Sequence, residues 1–319
     1  MRIAVLAGGI GGARFLRGVR AACPTDDVTA IINTGDDATL HGLRICPDLD
    51  SVMYTLGGVH DEARGWGRKD ETWRIKDELT AYGAEPSWFG LGDLDIATHL
   101  VRSRMLEAGF ALSDVTAALC RRFEAGITLL PMTDDRCETH VVVELADEGE
   151  DVVRRRAIHF QEWWVRHRAK LPAEAFVQVG VQDATPAPGV LECITEADLV
   201  LIAPSNPVVS IGTVLGVPGI RDAVVNGPAP VVGLSPIVGG APVRGMADAC
   251  LPVIGVEVSA QGVGRHYGSR STDGLLDGWL VHDTDSASVP GVQVRAVPLL
   301  MTDDDATAAM VRAAQELVS

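Results

Sequence analysis

The run IAVLAGGIGGARFLRGV, Ile3 to Val19, places four glycines within five residues between an apolar stretch and a helix-like stretch. A short buried strand that passes through glycine straight into a helix is the opening unit of an open α/β sheet. Parallel strands need crossover helices, and glycine admits the tight turn between them. Arg2 to Leu6 reads as that strand and Ala13 to Ala22 as the helix. VTAIINTGDD supplies a second strand ending in the polar residues Asn33 to Asp37. ADLVLIAPSNP and APVVGLSPIVGG resemble further parallel strands running into loops, and LPVIGVEVS reads as a third. The stretch Ser51 to Ala111 is mostly helical in pattern, another helix starts at Ser113, and the tail Ala306 to Val318 is an amphipathic helix. ETHVVVELADEG and DVVRRRAIHF alternate like a hairpin turning at Glu148 and Gly149. The predicted fold class is α/β, a doubly wound, mostly parallel sheet. Residues 1–50 and 188–319 form its core, and residues 51–187 form a mixed helical and hairpin insertion.

Composition narrows the partners. Acidic side chains outnumber basic ones by 43 to 27 in the 319 residues, a formal charge of −16. Nucleic-acid and anionic-membrane surfaces need clustered lysine and arginine to neutralise phosphates, so neither partner is expected. Any anionic ligand must be met by a local concentration of the few basic residues or by a metal. The six cysteines are scattered with no CxxC pair, so neither a zinc site nor a disulfide framework is indicated. Met1 leads directly into a strand, leaving no room for a signal peptide, and no apolar run approaches the ~18 residues of a membrane span. A cytoplasmic protein is the expectation.

The glycine turn fits neither of two familiar phosphate motifs. With Gly9 and Gly11 in the first two positions of GxGxxG, Arg14 occupies the third, where a side chain obstructs close helix approach. No GK[ST] follows, which removes a Walker A loop. A nicotinamide dehydrogenase is therefore disfavoured. What remains is either an anion-binding loop of backbone N–H groups at a helix N-terminus or a structural turn. Four acids follow in NTGDDATLHGLRICPDLDSVMYTLGG: Asp36 and Asp37 at a strand end, Asp48 and Asp50 in the next loop. Such hard oxygen ligands suit Mg²⁺ with phosphate completing its shell, while Asp50 would equally serve as cap of a helix starting near Ser51.

Further candidates lie in the insertion and the second half. Trp73, Arg74, Trp88 and Phe89 offer flat apolar surface for a ring, or pack a core. On a helix beginning near Asp95, the residues Asp95, Thr98, His99 and Arg102 share one face. Trp163 and Trp164 cannot both face inward on a regular strand, which frees one of them for an interface or a ligand edge. After a buried strand ending at Ala203, the turn Pro204 to Pro207 presents Ser205 and Asn206, and Ser210 opens the next helix. That arrangement suits base edges or phosphate oxygens, and equally a capped turn. Arg244, Arg14 and the basic residues of a flexible stretch from Gly262 to Asp273, Arg265, His266 and Arg270, are the candidate anion contacts.

Eight ordered blocks carry a resemblance. LAGGIGGARFLRGV, NTGDD, CPDLDSVMYTLGG, WFGLGDLDIATHL, LLPMTDD, HFQEWWV, APSNPVVSIG and DGLLDGWLVHD look like those of the 2-phospho-L-lactate transferases of coenzyme F420 biosynthesis, including their actinobacterial phosphoenolpyruvyl-transferring members. The resemblance implies a Rossmann-like, dimeric, magnesium-dependent transferase. Such an enzyme joins a guanosine diphosphate-activated three-carbon acid to the deazaflavin Fo, releases GMP, and forms a phosphodiester. It implies that Gly9, Gly11 and Gly12 border the cleft, with Asn33, Asp36 and Asp37 at its floor. Asp48 and Asp50 become the metal ligands, with Asp50 also the proton acceptor and Asp37 a further catalytic acid. Trp88, Phe89, Thr98 and His99 face Fo; Ser205, Asn206, Ser210 and Arg244 face GDP or GMP. Replacing Asp50 by Asn is expected to abolish most transfer while sparing the fold. The phosphoenolpyruvyl donor, giving dehydro-F420-0, is preferred over 2-phospholactate. The other reading kept open is a nonenzymatic nucleotide or sugar-nucleotide sensor.

Overall fold

The computed structural model describes residues 1–146 and 153–318. The chain begins β1 (Arg2–Ala7), β2 (Asp27–Ile32) and β3 (Thr128–Pro131). It continues through β4 (Glu138–Ala146), β5 (Val153–His159) and β6 (Ala173–Val179), and closes with β7 (Leu199–Ile202), β8 (Val231–Leu234), β9 (Gly278–His282) and β10 (Gln293–Val297). Seven of these form one sheet in the order β10-β9-β8-β7-β1-β2-β3, every neighbouring pair parallel. β4 lies between β5 and β6 in a separate antiparallel sheet. The helices that position the site are α1 (Gly9–Ala22), α2 (Pro47–Leu56), α3 (Arg74–Ala81), α4 (Asp93–Glu107) and α5 (Leu112–Phe123). Later come α6 (Val190–Thr195), α7 (Ile220–Asn226), α8 (Ala260–Tyr267) and α9 (Asp304–Leu317).

Both faces of the large sheet are covered, which is why its strands read as continuous apolar runs. Ile3, Val5 and Ala7 of β1 pack with Phe15, Leu16, Val52, Val115, Val311 and Ala314 from α1, α2, α5 and α9. The alternate residues Ala4 and Leu6 pack on the other face, with Val141 and Ile158 of the small sheet and Val190, Ile194, Val224 and Val263 of α6, α7 and α8. The edge strand β3 comes from within residues 51–187, as does α5 of the first face, and α2 straddles residue 51. Among the described residues no single helix is long and apolar enough to cross a membrane.

β1 connects to β2 on one side, while β7 enters on the other, so the strand order reverses between β1 and β7. Their registers bring Ala7 beside Ile32 and Leu6 beside Ile202, and the chain leaves all three strands at the same edge. A crevice opens at such a reversal, outside the carboxyl ends of the strands.

Several local expectations change. LPVIGVEVS is no strand: it opens with the helical turn Leu251–Ile254, directly after the turn Ala247–Cys250, because Pro252 lacks a ladder donor and Gly255 at φ 73° ends the turn. The stretch from Gly262 is not a loose loop but mostly α8, capped by Ser259 Oγ accepting from Gly262 N and buried along Ala260, Val263 and Tyr267. α4 begins at Asp93, and α1 already at Gly9. Trp163 and Trp164 sit in a π-helical turn, Glu162–Arg166, rather than a strand. The expected hairpin pairs as β4 with β5, and its turn at Glu148 and Gly149 lies outside the described residues.

Candidate functional site

The glycine turn is built against its neighbours with almost no clearance. Gly8 donates its N–H to Ser205 Oγ at 3.1 Å, and Ser205 Oγ–H donates back to the Gly8 carbonyl at 2.7 Å. A Cβ on Gly8 would lie 2.7 Å from Asp48 Oδ2 and 2.8 Å from Ser210 Cβ; one on Gly12 would lie 2.9 Å from Ser205 Oγ. Gly9 adopts φ 63°, a left-handed conformation that a side chain strains. Gly8, at the N-cap of α1, has no side chain to cap the first turn, which opens at the strand ends.

Asp48 and Asp50 both lie in the first turn of α2, which starts at Pro47, four residues before the position expected from sequence. Positions two apart on a helix point about 200° apart, so these two acids serve different neighbours. Asp48 turns to the glycine loop: Asn33 Nδ2 donates to its Oδ2 at 2.9 Å, and Gly9 backbone bonds its carboxylate. Asp36 stands beside it. Burial first, then the charges of Asp48 and Asp37, push the Asp36 carboxyl well above the usual range; burial raises Asp48 too, against the bonds from Asn33 and Gly9. Asp36 Oδ1 is buried without a hydrogen-bond partner. Asp37 is fully buried beneath the cleft, with Arg44 Nη2 3.0 Å from its Oδ2, an ion pair without hydrogen-bond alignment. Burial lifts Asp37 to about 6 despite Arg44.

Asp50 turns to α4. Arg102 Nη1 donates to its Oδ2 at 3.0 Å, and Nη2 bonds the other oxygen, a two-pronged pair in which Arg102 is 2% exposed. Burial works against the guanidinium charge, yet Asp50 raises the Arg102 pKa. Arg102 Nη1 also reaches His99 Nδ1 at 3.0 Å, and a bond donated there assigns the His99 proton to Nε2. Nε2 lies 3.3 Å from Asp95 Oδ1, which accepts from Tyr54 O–H at 2.6 Å. Against burial, the bonds from His99 and Tyr54 hold Asp95 below the usual carboxylate range. Ligand atoms of Asp50, Asp95 and His99 come within 4.8 Å of one another. Arg102 already occupies both oxygens of Asp50 in this knot, whereas among the described residues no basic side chain bonds Asp36 or Asp48. The donor set that fits a divalent cation is therefore the pair Asp36 and Asp48.

One cleft of about 610 Å³ gathers most of the residues marked in the sequence: Gly9, Gly11, Asp36, Asp48, Asp50, Trp88, Phe89, His99, Ser205, Asn206, Ser210 and Arg244 all line it. Gly12, Asn33, Asp37 and Thr98 do not; Gly12 and Asn33 brace the wall from behind, and Thr98 is buried on α4. Asn206 lines the cleft as a cap, its Oδ1 accepting from Val208 N and Val209 N at 2.9 and 3.3 Å. Arg265 and Arg270 are not cleft groups: Arg265 bonds the Ser288 carbonyl, and Arg270 bonds the carbonyls of Val225, Gly227 and Ala229 with Asp277. Trp163 is in the core, its Nε1–H donated to the Leu171 carbonyl, while Trp164 lines the cleft. Tyr54, Trp66, Phe160 and Gln161 also line it and were not singled out from sequence. Only Tyr54 carried a signal, standing four residues after Asp50 and so on the same helical face.

The whole chain can now be compared with known proteins. Residues 3–310 match the family described as 2-phospho-L-lactate transferase CofD. The chain belongs to the CofD family. It is 61% identical over 316 residues to a phosphoenolpyruvate transferase of Nocardia farcinica, covering 99% of this chain and 94% of that one. It is 60% identical over 326 residues to one of Mycolicibacterium smegmatis and 63% over 322 residues to one of Streptomyces coelicolor; each alignment covers 99% of this chain and 98% of the relative. A solved member of the UPF0052 family from Bacillus halodurans superposes with a TM-score of 0.61 at 16% identity over 98% of both chains, a likeness of fold. This CofD protein is thus a transferase of the phosphoenolpyruvate or 2-phospholactate type in F420 biosynthesis.

Two outcomes follow from the charge pattern. Asp50→Asn in this CofD chain leaves Arg102 buried without its counter-charge, which costs about 3–5 kcal/mol. Urea or thermal unfolding should register that loss, in contrast to the spared fold expected from sequence; an unchanged midpoint would show the pair to be unimportant. Asp36→Asn acts oppositely. A carboxyl whose folded pKa is raised loses stability as pH climbs from its unfolded value through its folded one, so removing it should stabilise the metal-free protein at pH 7.5. Below about pH 3.9 both states carry the proton and the gap should close.

Proposed function

We propose that this chain transfers a phosphoenolpyruvyl group from a guanosine diphosphate-activated donor to the hydroxyl of Fo, releasing GMP and forming dehydro-F420-0. The observation that carries the proposal is that one cleft is lined by two chemically different sets of groups: Gly8 to Gly11 at the start of α1, Ser210 and the acids Asp36 and Asp48, and beside them the aromatic rings of Trp66, Trp88, Phe89, Phe160 and Trp164. Helix N–H groups and their dipole favour phosphate oxygens, and broad aromatic surface favours a flat tricycle. The names of the actinobacterial relatives support the phosphoenolpyruvyl donor.

Asp36 and Asp48 would hold Mg²⁺, which supplies charge screening for the diphosphate. The chain's own groups do the rest of the positioning. Backbone N–H groups of the glycine turn orient the phosphates, while α2 lines the cleft with Asp48, Asp50 and Tyr54, Asp48 toward the glycine turn and Asp50 held by Arg102 of α4. Holding hydroxyl and phosphorus in a fixed relation is where a transferase of this kind gains most of its rate. Asp50 is bonded through both oxygens by Arg102, and its part in this reading is to anchor Arg102 and His99.

The reading is tested by product mass. Offered both activated donors equally with Fo and Mg²⁺, the protein should form mainly the product two hydrogens lighter, and NAD should have no effect. A mainly heavier product would overturn the donor choice, and no product from either donor would overturn the transfer itself. Because a pocket separates such similar shapes by only about 1–3 kcal/mol, both masses should be detectable.

A further inference from the structure

Two arginines beside the cleft are left without partners. Arg244 lines it, and Arg14 projects from α1 one turn beyond the cleft-lining Ile10 and Gly11. Neither makes a hydrogen bond or ion pair among the described residues, in a chain whose acids exceed its bases by 16. Of the neighbouring cations, Lys76 also lines the cleft, with its Nζ 5.9 Å from the Trp73 ring, and two arginines are engaged by carboxylates. Arg17 bonds Glu62 at 2.7 Å and also Asp304; Arg64 pairs with Asp61 at 2.9 Å and lies 5.0 and 4.9 Å from the rings of Trp66 and Trp73. Glu62, the carboxylate whose charge reaches Arg14, is therefore already spoken for.

The two guanidinium groups feel one another, and a loop packs against one of them. Gly65 turns at φ 81°, and a Cβ there would lie 2.9 Å from Arg244 Nη1, so the loop packs directly against the guanidinium. Burial, and then the Arg244 charge, lowers the Arg14 pKa. Arg14 is half-buried and Arg244 exposed at the cleft edge; like charges that feel one another are relieved by an anion between them, and the planar fork of arginine fits a carboxylate as it fits a phosphate.

We propose that Arg14 and Arg244 form a subsite for the carboxylate of the activated three-carbon acid. The inference rests on the transferase reading above. The phosphates already have the glycine turn, the α1 N-terminus and the acid pair with its cation. The carboxylate is the remaining anionic group of the donor, and these arginines are unpaired cations beside the cleft.

The test is a cycle between protein and ligand. Binding of GDP, of the activated donor and of its carboxamide analogue is measured calorimetrically for wild type, Arg14→Gln, Arg244→Gln and Arg244→Lys, all with Mg²⁺. Wild type should prefer carboxylate over carboxamide by about tenfold or more. In either Gln variant that preference should fall to within about threefold while GDP affinity stays within about twofold, which also reports an intact fold. The Lys variant should recover part of it, since charge returns without the fork. A preference that persists in both Gln variants, or a GDP affinity that falls in step with the donor, overturns the carboxylate assignment. Product formation from Fo is scored separately: a wild type that prefers the carboxylate yet makes no product sinks the transferase reading, while the binding ratio still judges the subsite.

Discussion

The absence of a side chain at Gly8 is the constraint on which the site depends. At that one position the end of β1, the first turn of α2 and the turn after β7 converge, with Asp48, Ser210 and Ser205 all close to the glycine. Any Cβ would push apart the two halves of the sheet at their reversal point. Because none is present, the acids brought by α2 come within reach of the N–H groups that open α1. The closeness has an electrostatic cost: it buries Asp36 and Asp48 together without a basic partner, and the protein tolerates this at a place that a cation and phosphates would balance.

A few residues away the same helix solves the opposite problem. Asp50, Arg102, His99, Asp95 and Tyr54 form a connected set in which Arg102 holds Asp50 and reaches His99, Tyr54 donates to Asp95, and His99 Nε2 lies 3.3 Å from Asp95. This knot fastens α2 to α4 and fixes that wall of the cleft. One short helix thus carries an unbalanced carboxylate toward the ligand and a balanced one toward the core, separated only by the helical angle between Asp48 and Asp50.

Much of this was legible in sequence where local chemistry decides the outcome. The strand-turn-helix opening, the strand ends at Asn33 and Ala203, and the shared face of Asp95, His99 and Arg102 follow from glycine placement and from periods of two and 3.6 residues. Other features depended on distant partners. β9 and β10 lacked a clear turn signal, and LPVIGVEVS has strand-like composition but contains a proline and sits where helical turns cover the sheet. Asp50 looked like a metal ligand because the Arg102 that occupies it lies 52 residues away. Likewise, Arg270 read as a free cation in sequence, although the carbonyls it binds belong to residues 225–229.

The central claim is that the acid pair at the glycine turn is completed by a divalent cation together with the nucleotide diphosphate. Calorimetric titration of GDP into the intact protein, with Mg²⁺ and then with a chelator, addresses it directly. The account predicts that Mg²⁺ strengthens GDP binding by about tenfold or more, since two buried carboxylates otherwise face the incoming phosphates. GDP affinity that is unchanged or stronger in the chelator would contradict it.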